Sequence, residues 1–244
     1  MPSVGELTAG YANFMLSPRS GPDVCTTCFN LTNGFVRCYA CTQSDPQLAA
    51  VAPISYSVAH EQLHHALAQY KRSQTPAARR LTVGLAAVLW RHLAQHERCV
   101  ADAADVERFE LVTTVPSGDR QRDEHHPLRR IVAELVGPTR ARYERLLVRS
   151  ATEIQPRAFS DQKFEPTRQL HGQAVLLVDD TWTTGASAQS AAAALKLAGA
   201  ETVAAVVIGR HLNREWHEND RRLRGLAQPF DWNRCALCER DLAV

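Results

Sequence analysis

Val175-Leu176-Leu177-Val178-Asp179-Asp180-Thr181-Trp182-Thr183-Thr184-Gly185-Ala186-Ser187 joins three kinds of sequence in one run. The apolar stretch Ala174 to Val178 has the length of a buried strand. Two carboxylates stand where that strand is expected to end, and threonines, a glycine and a serine follow. The Ala-rich segment 188–197 reads as a helix that stops at Gly199. The pattern is therefore strand, polar loop, helix N-terminus. A helix N-terminus offers unpaired N–H groups and partial positive charge to an anion. Small residues let a phosphate approach that backbone, and hydroxyls add donors. Asp179 and Asp180 would repel a phosphate, but they suit sugar hydroxyls or a hard divalent ion held through water. An ordinary capped βα turn accounts for one Ser or Thr, not for two adjacent acids followed by Thr-Thr-Gly-Ala-Ser.

These thirteen positions resemble the phosphoribosyl-pyrophosphate (PRPP) motif of type I phosphoribosyltransferases. The resemblance implies that Asp179 and Asp180 are the catalytic acids and hold the ribose hydroxyls. It implies that Thr181, Thr183, Thr184, Gly185, Ala186 and Ser187 hold the 5′-phosphate. Trp182 departs from the pattern, which has a smaller or aliphatic residue there.

The chain's 244 residues correspond to one large domain, or a domain with an appendage, and 45% apolar content supports a real core. A net charge of +2 gives no global case for a nucleic-acid partner. No apolar run approaches the ~20 residues of a membrane span. The start, Met1 to Glu6, lacks a basic segment followed by an apolar one, so a cytoplasmic protein is expected.

Residues 1–24 read as a flexible N-terminus. Residues 25–50 carry Cys25-x-x-Cys28 and Cys38-x-x-Cys41, two knuckles that match a tetrahedral, structural Zn²⁺ site. Asn33-Gly34 between them is a hairpin signal, as in a zinc ribbon. Disulfides are disfavoured in a chain without a secretory signal. Residues 43–53 read as a linker, and 56–71 as a helix bearing Val58, Leu63, Leu67 and Tyr70. His64 and His65 read as surface or satisfied residues. Thr75-Pro76 begins a second helix, with Thr75 as cap, whose inner face carries Leu81, Leu85, Val88, Leu89 and Leu93. Trp90 reads as core.

A four-Cys ribbon, then a helix ending in Tyr70-Lys71, then the phosphoribosyl motif is an order of parts that resembles the ComF-type, competence-associated phosphoribosyltransferases over most of residues 25–210. Phe109 to Val115 reads as the first core strand. Val115, Pro116, Ser117 and Gly118, with Asp119 beyond, look like that family's pyrophosphate loop, whose backbone N–H groups face a diphosphate. Arg120 and Arg122 follow as diphosphate-neutralising or solvated arginines. Where the family carries its acceptor-side segment, the run Arg120 to Pro127 stands instead; His125-His126 read as helix-start residues, and Pro127 supports a helix from Leu128 to Val136. Leu146 to Val148 reads as a short second strand. Residues 150–168, with Gln155, Arg157, Phe159 and Lys163, read as a mobile loop over the reaction centre. Residues 202–208 form another buried strand, closed by Gly209-Arg210-His211, and 212–226 a surface helix.

The C-terminal extension, 211–244, contains a third Cys-x-x-Cys, Cys235 and Cys238. Three roles stay open for it: a second zinc with His211 or His217, packing beside the first ribbon, or no metal role. Cys99 reads as a buried or incidental thiol.

The expected fold is α/β: a type I phosphoribosyltransferase-like parallel sheet flanked by helices over 51–210, preceded by the zinc ribbon, with the site at the C-terminal strand ends. The resemblance implies PRPP or a ribose 5-phosphate ligand, Mg²⁺ with PRPP, and phosphoribosyl transfer to a nitrogen base. A second reading is a non-catalytic ligand sensor or DNA-uptake accessory, whose ribbon docks a competence-machinery protein or single-stranded DNA. Phe29, Phe35 and Tyr39 with Arg37 could stack bases; packing around the metal is their plainer role. A homo-oligomer is compatible with either. Neither the Rossmann nor the P-loop glycine fingerprint is present.

Overall fold

The computed structural model of the chain describes residues 2–43, 45–72, 75–117, 123–124, 126–216, 218–226 and 230–238. Gly118, Asp119, Arg120, Arg122, His125 and His217 lie outside the described residues.

The chain opens with helix α1 (Val4–Ala9), then a short α2 (Tyr39–Thr42) in the cysteine-rich segment. Strand β1 (Val51–Val58), helix α3 (Gln62–Gln69) and the long helix α4 (Pro76–Ala103) follow. Next come β2 (Leu111–Thr114), α5 (Pro127–Arg130), a π-helical turn Ile131–Leu135 and α6 (Gly137–Arg140). The remainder is β3 (Leu147–Arg149), β4 (Phe164–Pro166), β5 (Ala174–Trp182), α7 (Ala186–Leu197), β6 (Thr202–Leu212) and α8 (Asn219–Leu226).

The fold is α/β. Four strands form a parallel sheet in the order β1-β6-β5-β2. Both faces are covered, which is why β5 and β6 read as continuous apolar runs. On one face Leu176, Val178, Val206 and Ile208 pack with Leu63, Leu67, Leu85 and Leu89 of α3 and α4. On the other, Val175, Leu177, Val203 and Val207 pack with the alanines of α7 and with the four N-terminal cysteines. Ala191, Ala192 and Ala194 are buried. Small side chains at those positions bring α7 close to the sheet. Gly199, at φ +100, ends α7 as expected. Thr75 caps α4 through the Ala78 N–H at 3.2 Å. Among the described residues no helix is long and apolar enough to cross a membrane.

Several expectations are corrected. The first strand of the sheet is β1, in a stretch read as linker and helix, and the helix there is only Gln62–Gln69. All eight β1 residues are buried, so no alternation marks the strand. Pro53 is tolerated because β1 is an edge strand. The edge is covered: Leu16 bridges to Tyr56, and the Leu16 N–H donates to Ser55 Oγ at 2.9 Å. Residues 2–24 are consequently not loose; α1 has a reciprocal Ser3–Glu6 capping box, and Met15 is buried.

Leu147–Arg149 forms a strand, but it pairs antiparallel with β4 in a separate two-stranded ribbon, not in the parallel sheet. The loop read as 150–168 therefore ends in a strand. Strand β6 runs on through Leu212, past Gly209. The helix expected over 128–136 continues as a π turn. Trp90 is 37% exposed, with its ring edge against Gly137.

Candidate functional site

Strand β5 extends through the motif acids to Trp182, four residues further than the apolar run suggests. The strand's period of two therefore sends Asp179 and Asp180 to opposite faces. Asp180 continues the row of Leu176 and Val178 towards α3, and Asp179 continues the row of Val175 and Leu177 towards α7.

Asp180 is buried and already engaged. Tyr70 donates its hydroxyl to Oδ2, and Lys71 Nζ lies 2.7 Å from Oδ1 and 2.6 Å from Oδ2. Both partners sit at the C-terminal end of α3, where a cation is favoured. Burial, and then the Asp180 charge, push the Tyr70 phenol well above its ordinary range, which keeps it a donor. The Tyr70 ring packs edge-on to His126 at 6.4 Å. Burial pushes His126 down, against an upward pull from Asp180.

Asp179 is only partly buried by surface, yet densely surrounded. Its Oδ1 accepts the Asp180 N–H at 2.8 Å. Burial and the adjacent Asp180 charge push its carboxyl up to about 7, against Lys71 and two backbone N–H groups that pull it down. It is the motif acid not held by a side-chain cation in the described residues.

Past the strand, Gly185 takes the left-handed conformation (φ +85) as N-cap of α7 and, having no side chain, makes no cap bond of its own. A Cβ on Gly185 would run into the Trp182 ring. Thr183 is exposed; Thr181, Thr184, Ala186 and Ser187 are half-buried. Thr184 Oγ1 accepts the Ala186 N–H at 3.3 Å. Lys163, buried at the end of the loop before β4, donates to Ser187 Oγ at 3.0 Å. Burial and nearby Arg149 lower its pKa, and Asp179 raises it. One cation, Lys163, thus stands beside the first turn of α7. Lys163 falls within the loop expected over 150–168; flanked by Gln162 and by Phe164-Glu165, it carries no local signal that marks it out.

The expected pyrophosphate loop is described at Val115, Pro116 and Ser117, beyond the C-terminal end of β2. The Ser117 N–H donates to Asp123 Oδ1 at 2.8 Å, and Asp123 pairs with Arg145 at 2.7 Å. Gln155 and Arg157 are exposed and Phe159 is 40% exposed. A cleft of about 520 Å³ lies on the α3–α4 side and shares Tyr70 with the Asp180 network; His126, Arg79, Arg129 and Tyr143 also line it. Its volume falls in the range of small-molecule pockets.

Behind the motif loop lies the cysteine segment. Cys25, Cys28, Cys38 and Cys41 are all buried, their Sγ atoms all within 4.8 Å of one another. Cys28 and Cys38 sulfurs are 3.6 Å apart. Sulfurs around a tetrahedral zinc are about 3.8 Å apart, from Zn–S bonds of about 2.3 Å, so the set could hold a zinc ion. Arg210, 3% exposed, connects this cluster to the motif. Its guanidinium donates to Cys28 O at 3.0 Å, Trp182 O at 3.2 Å and Thr183 O at 3.0 Å, and Nη2 lies 3.6 Å from Cys28 Sγ. Phe29 is buried and its carbonyl accepts the Tyr56 hydroxyl at 2.9 Å. Phe35, Val36 and Tyr39 are 67%, 70% and 80% exposed, so Phe35 and Tyr39 do not pack around the metal as expected.

Cys235 and Cys238 approach neither His211 nor the first ribbon. They meet His96 and Cys99 of α4, which corrects the reading of Cys99 as an incidental thiol. His211 instead stacks beside His64, centroids 5.3 Å apart.

No model of a known protein family matches the chain, and no curated protein matches it.

Proposed function

We propose that the chain is a phosphoribosyltransferase of the type I, ComF-like kind, which binds PRPP with Mg²⁺ and transfers phosphoribose to a nitrogen base. The observation that carries this reading is the division of labour between the motif acids. Asp180 is consumed by Tyr70 and Lys71, while Asp179, on the α7 side of β5, has no side-chain cation partner among the described residues and lies close enough to Lys163 to act on its charge. An anion would lie on the α7 amides, Ser187 and Lys163, and a neighbouring ribose would offer its hydroxyls to Asp179. Mg²⁺ would arrive with the diphosphate, since that ion is held by one or two carboxylates and substrate phosphates. Val115, Pro116 and Ser117 sit where the diphosphate would face the strand ends. The acceptor base would take the cleft below Tyr70. Positioning and charge stabilisation of a cationic sugar supply the catalysis.

Calorimetry with ribose 5-phosphate and PRPP, plus pyrophosphate release over a panel of bases, tests it. Lys163→Met should weaken both ligands by roughly ten- to a hundredfold, the loss of one charge-assisted bond of about 1.5–3 kcal/mol. Unchanged affinity would move the phosphate elsewhere.

Asp179 adds a pH signature. Its carboxyl is raised above the ordinary value, so the stability it contributes is present below about pH 4 and is lost as pH rises through about 7. Asp179→Asn should therefore raise the ligand-free Tm more at pH 8 than at pH 5. The same variant should bind ribose 5-phosphate about tenfold or more worse at pH 8 and inorganic phosphate no worse. A Tm difference independent of pH would refute the burial of that charge. Parallel losses for both ligands would refute the ribose contact.

The second reading, a non-catalytic accessory whose ribbon docks a competence-machinery protein or single-stranded DNA, draws on exposed Phe35, Val36 and Tyr39. PRPP binding without pyrophosphate release, whichever base is added, would favour it.

A further inference from the structure

Four metal-type donors from two distant parts of the chain converge against α4, on residues the functional reading leaves unused. His96 and Cys99 are three positions apart on α4, and Cys235 and Cys238 form a Cys-x-x-Cys turn. Their Nδ1 and Sγ atoms all lie within 4.8 Å of one another. Cys238 Sγ is 3.2 Å from Cys235 Sγ, 3.4 Å from Cys99 Sγ and 3.5 Å from His96 Nδ1, and Cys99 Sγ is 3.9 Å from His96 Nδ1. Donors around a tetrahedral zinc are spaced by about 3.5–3.8 Å.

The histidine is oriented for the task. His96 is buried, with Nε2 2.7 Å from the Trp232 carbonyl oxygen. A carbonyl only accepts, so Nε2 carries the hydrogen of this bond. In a neutral imidazole that leaves a bare lone pair on Nδ1, facing the sulfurs. A ring N–H fixed by a backbone carbonyl is the usual outer partner of a metal-bound histidine. Backbone N–H groups support the sulfurs as well: Cys235 N donates to Cys238 Sγ and Leu237 N to Cys235 Sγ, both at 3.4 Å. A Cys235–Cys238 disulfide would use two of the four donors and leave the aimed Nδ1 and Cys99 unexplained.

We propose that His96, Cys99, Cys235 and Cys238 form a second zinc site, of Cys3His type, that fastens the C-terminal segment to α4. The protein fills all four positions, so the site is structural, with none left for a reacting water. What it fastens is visible around it. Arg91 of α4 lies over the Trp232 ring at 4.5 Å and also donates to Thr8 Oγ1 of α1 at 2.9 Å. Residues 230–238 have no regular structure to hold them, and a metal site supplies folding free energy to such a segment.

The test is zinc content of the full chain, purified from zinc-supplemented culture and desalted. Wild type should carry two zinc ions per chain and Cys235→Ser/Cys238→Ser one. Were the N-terminal set empty, wild type would carry one and this variant none, so the two sites are told apart. Should the variant fail to fold, alkylation of native wild type decides. Cys99, Cys235 and Cys238 should resist iodoacetamide together and become reactive together when a chelator strips the metal. Cobalt(II) in the His96→Cys variant should show its ligand-field bands shifted to longer wavelength, as sulfur replaces nitrogen. Identical zinc content in wild type and the double serine variant overturns the proposal. So does independent reactivity of the three thiols, or a Cys235–Cys238 disulfide in the wild-type peptide map.

Discussion

Gly185→Val should destroy ribose 5-phosphate binding and lower the Tm by roughly 4–20 °C, for two causes that add. The residue sits at φ +85, where a β-branched side chain is strongly disfavoured and any L residue loses about 1–2 kcal/mol. Its new Cβ would also occupy space held by the Trp182 ring. Trp182 is 1% exposed and cannot swing into solvent without opening the core between sheet and ribbon, so overpacking adds about 1–3 kcal/mol. Together these amount to about 2–5 kcal/mol, and each kcal/mol moves Tm by roughly 2–4 °C in a chain of this size. The turn proposed to cradle the anion is the part forced to move. Thr183→Val is the control: Thr183 is exposed, so that variant should keep its Tm. Thermal melts and calorimetry on both check the result. A Gly185→Val protein with wild-type Tm and affinity would mean that neither the left-handed cap nor the tryptophan contact exists in solution.

Trp182 also shows how far the sequence alone could be read. The strand–loop–helix order of the motif was legible because each part has a local signature: an apolar run, turn residues, an alanine helix stopped by glycine. The two Cys-x-x-Cys knuckles and the Thr75-Pro76 helix start were legible for the same reason. What failed depends on long-range pairing. A run such as Val51–Val58, buried on both faces and containing a proline and two serines, has no periodicity to betray it. Leu147–Arg149 carries a true strand signal, but no local feature says which sheet it joins. The Tyr70-Lys71 pair is visible in the sequence, while its partner Asp180 is 110 residues from Tyr70 and shows only in three dimensions. His96-x-x-Cys99 puts two donors one helical turn apart, a pair that stands out only when Cys99 is read together with His96. The Ser3–Glu6 capping box, by contrast, was a local signal that could have been used.

On the proposed reading, with a zinc ion in the N-terminal four-cysteine set, stripping that ion should abolish ribose 5-phosphate binding, although no cysteine is among the proposed ligand residues. The route is Arg210. A buried guanidinium is always charged and needs an opposing charge. Its described partners are carbonyl oxygens and the Cys28 sulfur. One Zn²⁺ with four thiolates carries a formal charge of about −2, which is that opposing charge. When the zinc leaves, the thiols take up protons and Arg210 is left buried and unpaired, at a cost of about 3–5 kcal/mol. The ribbon also forfeits the metal's own contribution, about 10–16 kcal/mol in small zinc domains. Arg210 also bonds Trp182 O and Thr183 O, so its displacement would carry over to the turn proposed to hold the phosphate. Cys28→Ser should therefore lose zinc, Tm and ligand together. Arg210→Leu should keep the N-terminal zinc yet still lose the ligand, because it cuts the connection without touching a metal donor. Metal analysis paired with calorimetry separates these outcomes. If Arg210→Leu binds ribose 5-phosphate as wild type does, the cluster and the site are neighbours without being coupled.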